Sequence, residues 1–255
     1  MGAFVAAVLA AFLASSVEAV EALTIVLAAG YARSFKVALQ GAFSALIVLV
    51  LLAGLLGEAV TNFIPIRAVR IIVGGYLLIF GLGWLKKAIL RAAGFKALHD
   101  EDEAFKEEFS RIKAQSEVVK GSKVNLLKDP GFNTAFKGVL LEGFEIILIV
   151  ISLGSSTRKL LAVSLGALLA VLIVGLIGVV VKKQLTKVPE NLIKAVVGVM
   201  LTSFGVFWAG QGVGVHWYLN DLFLLVLIGI NITAFFFVSV ILSRVKDVSK
   251  FVKSQ

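Results

Sequence analysis

The sequence contains no cysteine, only two histidines and three prolines, and only 16% charged residues. Without cysteine there are no disulfides, no thiolate metal sites and no thiol catalysis, and the redox compartment leaves no trace. Soluble domains carry about a quarter charged residues, so the scarcity here argues against a water-exposed fold. What replaces charge is apolar mass: 59% of the 255 residues are hydrophobic, and the mean hydropathy is +1.00.

About 20 consecutive apolar residues are enough to cross a bilayer as a helix. The chain offers seven such runs, near residues 3–32, 37–60, 68–90, 136–153, 160–181, 192–213 and 219–242. The expected fold is therefore all-α and polytopic, with seven transmembrane helices. The net charge of +9 does not indicate nucleic acid, because the charges lie between spans and not on one face of a soluble domain. If the N-terminus is outside, all the Lys and Arg except Arg67, Arg70, Arg158 and Lys159 fall on cytoplasmic segments, as the positive-inside bias demands. The reading is a multi-pass protein of the cell membrane with a cytoplasmic C-terminus. The apolar start lacks a basic n-region and runs on past Val17-Glu18-Ala19, so it reads as helix and not as a signal peptide.

A gap-free shift of 124 residues aligns the chain with itself. It places Glu18 on Glu142, Glu21 on Glu145, Gly30 on Gly154, Gly74 on Gly198, Phe80 on Phe204, Gly81 on Gly205 and Trp84 on Trp208. An odd number of helices per copy makes the second copy enter the membrane from the opposite side, so two inverted three-helix repeats are expected, with one helix appended. The expected division is a first repeat at 1–91, a charged cytoplasmic linker at 92–133, a second repeat at 134–213, and a seventh helix and tail at 214–255. Within the linker, Phe105, Phe109 and Ile112 allow a surface helix, broken at Gly121-Ser122 and at Asp129-Pro130-Gly131. The acidic run Asp100 to Glu108 reads as solvated surface, and His99 alone is no metal signal.

Residues three apart share a helix face, so each repeat presents a carboxylate pair, Glu18 with Glu21 and Glu142 with Glu145. Four such groups facing lipid would cost roughly 10 kcal/mol or more. Inverted symmetry instead converges them on one mid-membrane site. Clustered carboxylates hold protons or a cation, and an all-oxygen set suits iron, manganese, magnesium or calcium. Metal arrival then expels protons, a physical basis for coupling. Ser15, Ser16 and Thr24 stand near enough to add hydroxyl ligands, a role that competes with ordinary helix packing. His216 and Asp221, between the last two spans, offer an entrance site, against the commoner roles of interfacial anchoring and helix capping.

Glu142-Gly143-Phe144-Glu145 followed by Ile-Ile-Leu-Ile-Val resembles the Arg-Glu-Gly-Leu-Glu signature of the oxidase-dependent iron permease family, and Glu18-Ala-Val-Glu21 resembles its first copy. Phe80 to Arg91 is similar to that family's third helix. The resemblance implies seven helices, glutamates that pass iron, and an oxidase or metal-delivery partner. The motif arginine is Val17 in one copy and Leu141 in the other, which marks a divergent prokaryotic branch and makes the site more negative.

The leading expectation is thus a non-enzymatic metal permease, most simply for iron, with no permanently bound cofactor. Its expected partners are the ion, the bilayer and a second copy of the chain; nucleic acid is excluded. Two other readings stand beside it. One is a proton-coupled or organic-solute transporter using the same carboxylates. The other is a polyprenyl-pyrophosphate phosphatase, for which Gly154-Ser155-Ser156-Thr157-Arg158 and, opposite, Tyr31-Ala-Arg33-Ser34 would have to grip phosphate.

Overall fold

The structure, a computed structural model, describes residues 2–62, 64–97, 101–118, 126–157, 159–180 and 190–253. His99, Asp100, the Gly121-Ser122 break and Arg158 lie outside them. Eight α-helices follow one another: α1 (Gly2–Ala32), α2 (Phe35–Asn62), α3 (Ile66–Ala92), α4 (Glu101–Val118), α5 (Pro130–Thr157), α6 (Leu160–Val180), α7 (Glu190–Gly212) and α8 (Phe223–Lys253). In lipid every backbone N–H and C=O must find its partner within the chain, and an uninterrupted helix is the simplest way to do so.

Proline falls only where it does no harm. Pro65 precedes α3, and Pro189, its counterpart under the 124-residue shift, precedes α7. Pro130 opens α5, where the missing N–H is not needed. The expected break at Asp129-Pro130-Gly131 is therefore a helix start. Asp129 caps it by accepting a 2.9 Å bond from the Gly131 N–H, and its other oxygen takes a 3.0 Å bond from Arg33 Nε.

Six helices, α1, α2, α3, α6, α7 and α8, are long and apolar enough to cross a membrane. α5, which carries Glu142 and Glu145, is not among these six. It is 28 residues long and lies inside the bundle against α1, α2 and α6. The chain is a polytopic, all-helical membrane protein, and α4 is its one polar helix among those described. α4 docks through Ile112, which is fully buried with Ala29, Ala38 and Ala135, while Glu103 and Glu107 face outward.

The packing repeats itself. α1 lies on α6 as α2 lies on α5, and α3 meets α7 in the most extensive contact of the molecule. Along that seam a Cβ on Gly74 would strike the backbone of Ala209, and one on Gly198 that of Leu85; Gly81 meets Thr202, and Gly205 meets Leu78. Adding 124 to Gly74 and Leu85 gives Gly198 and Ala209, so each contact is the exchanged image of the other. Rising numbers on α3 meet falling numbers on α7, so the two helices run antiparallel. Two helices of like sequence packed antiparallel about a local twofold axis is the geometry that inverted repeats require. Glycine is needed here because only a side chain of one hydrogen lets the backbones touch.

Candidate functional site

The carboxylate pairs sit near the middles of α1 and α5. Those helices are also antiparallel: Arg33, at the end of α1, reaches Asp129, just before α5, and further along Ile25 packs on Gly138. Crossing this way, they bring Glu18, Glu21 and Glu142 together, with one carboxylate oxygen from each lying within 4.8 Å of the others. Glu145 joins them on the wall of a cavity of about 280 Å³.

Glu18 is the innermost member, only 2% exposed. Its carboxyl lies beside those of Glu21 and Glu142, on the cavity wall that Glu145 shares. Its Oε1 and the Oγ of Ser15, one turn earlier on the same face, are buried without a hydrogen-bond partner. Buried oxygens of this kind cost about 1–3 kcal/mol each when nothing satisfies them, so a ligand accepted here is repaid at once.

The cavity is not the purely acidic site expected from the absent motif arginine. Lys87, Arg91, Lys96 and Lys194 share its wall, four basic groups against four acidic ones. The bases come from α3, from the turn after it, and from α7, elements remote in sequence from the glutamates. Lys194 forms an ion pair with Glu21, with the two side chains 13% and 27% exposed. Its ammonium also stands 6.0 Å from the Trp84 ring. Lys96 is turned back over the cavity by Gly94, whose φ of 72° lets the N–H groups of Phe95 and Lys96 both reach Leu90 O. None of these bases was singled out from sequence. A signal existed, because the 124-residue shift aligns Arg70 with Lys194, a base in the first turns of equivalent helices.

The remaining sequence candidates distribute as follows. Ser15 is fully buried beside Glu18. Ser16 turns away, its hydroxyl donating 2.8 Å to Phe12 O. Thr24 is buried on α1 but does not line the cavity. His216 and Asp221 are exposed in the connection after α7, whereas Lys194 lies near that helix's start. A helix of that length spans roughly 30 Å, which separates them from the glutamates' opening.

Among the described residues, the segments offered for a phosphate grip do not come together. Gly154 to Thr157 form the last turn of α5, with the Thr157 hydroxyl donating 2.8 Å to Leu153 O. Arg33 sits at the opposite end of that helix, paired with Asp129, roughly 40 Å away by helical rise.

The sequence model of a family described as divalent cation/proton antiporter GDT1 matches residues 3–92, about a third of the chain, covering α1 to α3 and the first glutamate pair. No curated protein and no solved structure matches the chain. The match overturns the resemblance to the oxidase-dependent iron permease family. That resemblance rested on the two Glu-x-x-Glu pairs and on the Phe80 to Arg91 segment; the i, i+3 spacing is one that any intramembrane carboxylate pair adopts in order to face one way.

Proposed function

We propose that this chain is a proton-coupled transporter of a hard divalent cation, exchanging the ion for protons at Glu18, Glu21, Glu142 and Glu145. The observation that carries the reading is the convergence of four carboxyls from two antiparallel helices on one cavity within an apolar bundle. Charge at that depth is costly and is retained where an ion or proton pathway uses it. The similarity of α1 to α3 to a divalent cation/proton antiporter family supports the same class.

The exchange follows from elementary chemistry. With the site empty of metal, carboxyls in contact hold protons between them. A divalent cation with oxygen ligands binds the ionised form and releases those protons, so site occupancy alternates between metal and protons. Oxygen donors with no thiolate or imidazole favour calcium, magnesium or manganese. Lys194 supplies one internal positive charge to Glu21, which lowers the demand for bound protons while the site is empty. Arg91 and the three lysines on the cavity wall support a cytoplasmic opening, since basic residues gather on that side of a membrane protein.

The test is ion flux in proteoliposomes. Calcium or manganese uptake should depend on the protein and be lost when all four glutamates are replaced by glutamine. Uptake that survives the quadruple replacement rules the mechanism out.

A further inference from the structure

The pseudo-symmetric bundle is not symmetric in its contacts, and the asymmetry falls on two bases. The cavity opens where α3 ends and α7 begins, since Lys87 and Lys96 on its wall are exposed. At the far end of α7 an aromatic cluster packs around Trp217. Trp217 stacks on Phe207 at 5.9 Å and on Phe223 at 4.8 Å, its indole N–H donates 2.9 Å to Phe207 O, and Phe207 is 1% exposed.

Lys194 belongs to the open end and is satisfied there, by Glu21 and the Trp84 ring. The same shift that exchanges the repeats converts Lys194, Glu21 and Trp84 into Arg70, Glu145 and Trp208. Those three residues are present, with the matching aromatic partner: Phe204 stacks on Trp208 at 4.8 Å as Phe80 lies against Trp84 at 5.3 Å. Yet Arg70 has no ion pair among the described residues, and its Nε is buried without a hydrogen-bond partner. A buried guanidinium nitrogen without a partner is costly; Arg70 is half-buried, Arg91 Nε on the cavity wall is unpartnered as well, and of the two only Arg70 has a glutamate, Glu145, as its repeat-related partner.

We propose that Lys194 with Glu21 and Arg70 with Glu145 are the two settings of one latch: the first holds the site open toward Lys87 and Lys96, and the second forms when the repeats exchange conformations and the site opens toward Gln211. Gln211 is the counterpart of Lys87. The α3/α7 seam is fitted for this exchange, because its glycine contacts are already interchangeable images of each other. Lys194 and Arg70 are positioning residues, and each gives up its own glutamate as the other engages. The proposal rests on the transport reading, because only a site that must face both ends needs two settings.

The natural absence of cysteine makes crosslinking direct. Three double variants of the full chain in liposomes are treated with a thiol crosslinker about as long as the side chains removed: Lys194→Cys with Glu21→Cys, Arg70→Cys with Glu145→Cys, and Arg70→Cys with Glu21→Cys as control. The first pair should crosslink readily and the second more slowly but to completion, while the control should not. If the second pair fails where the first succeeds, or the control matches the second, the latch is overturned; failure of the first pair overturns it as well. As a second readout, Arg70→Gln should slow flux with equilibrium divalent binding unchanged, and Arg70→Lys should restore most of the rate. A purely structural role would move both quantities together and overturn the proposal. Flux through the unaltered chain tests the transport reading separately: a chain that crosslinks as expected but carries no ion overturns the transport reading and with it the latch, whereas a chain that carries ions but fails the second crosslink overturns the latch alone.

Discussion

At the residue scale, the proposed exchange turns on Glu18 and Lys194. Glu18 is the only one of the four glutamates that is fully buried, and it touches the partners contributed by the other repeat. Glu18→Gln keeps the shape but removes the charge that a divalent ion needs, so affinity should fall about tenfold or more, a loss of at least about 1.4 kcal/mol. Titration calorimetry on the purified protein measures it, and unchanged calcium and manganese affinity would remove Glu18 from the site. Lys194→Met works in the opposite direction. It frees Glu21 from its ammonium and removes a like charge that repels the incoming ion, so equilibrium affinity should rise about tenfold, again by calorimetry. The glutamates were legible in the sequence because a charged residue inside an apolar run stands out, and its repetition at one spacing stands out further. Lys87, Arg91, Lys96 and Lys194 were not, because each sits at a helix end where a base satisfies the positive-inside bias. Only tertiary packing turns them inward.

At the scale of elements, the α3/α7 seam is held by backbone contact. Gly81→Ala would drive a methyl group into the Thr202 backbone, and relief requires the helices to part. Gly83→Ala, two residues on, meets nothing within 4 Å and should gain helix propensity. Thermal unfolding in detergent should show Gly81→Ala destabilised by about 1–3 kcal/mol and Gly83→Ala unchanged or slightly more stable; equal behaviour would mean that the seam is not tight. The helices themselves were readable from apolar run length, and the pairing of α3 with α7 from the repeat. Two details were not. Asp129-Pro130-Gly131 has the composition of a turn, but an aspartate side chain capping a proline-led helix uses the same residues. In α4, Phe105, Phe109 and Ile112 marked an apolar stripe, but only the alanines around Ile112, drawn from α1, α2 and α5, show what it covers.

For the whole molecule, the decisive question is what moves with the ion. Two antiparallel repeats meet at four carboxyls, the cavity mouth is lined with bases, and an aromatic stack around Trp217 lies at the far end of α7. On the proposed exchange reading, the site faces one side at a time and carries either metal or protons. For an exchanger the direction of coupling is fixed by chemistry: protons leaving an acidic compartment drive cations into it. Vesicles loaded at low pH and diluted into neutral buffer should therefore accumulate calcium or manganese above its equilibrium level. An ionophore that collapses the proton gradient should release the excess. With no imposed gradient, an inward cation gradient should make the lumen more alkaline, read by a trapped pH dye, and the quadruple glutamine variant should show neither effect. Cation entry that is indifferent to the proton gradient and leaves lumenal pH constant would mean that the carboxyls pass the ion without exchanging protons for it, and the antiport reading would fall while the site itself remained.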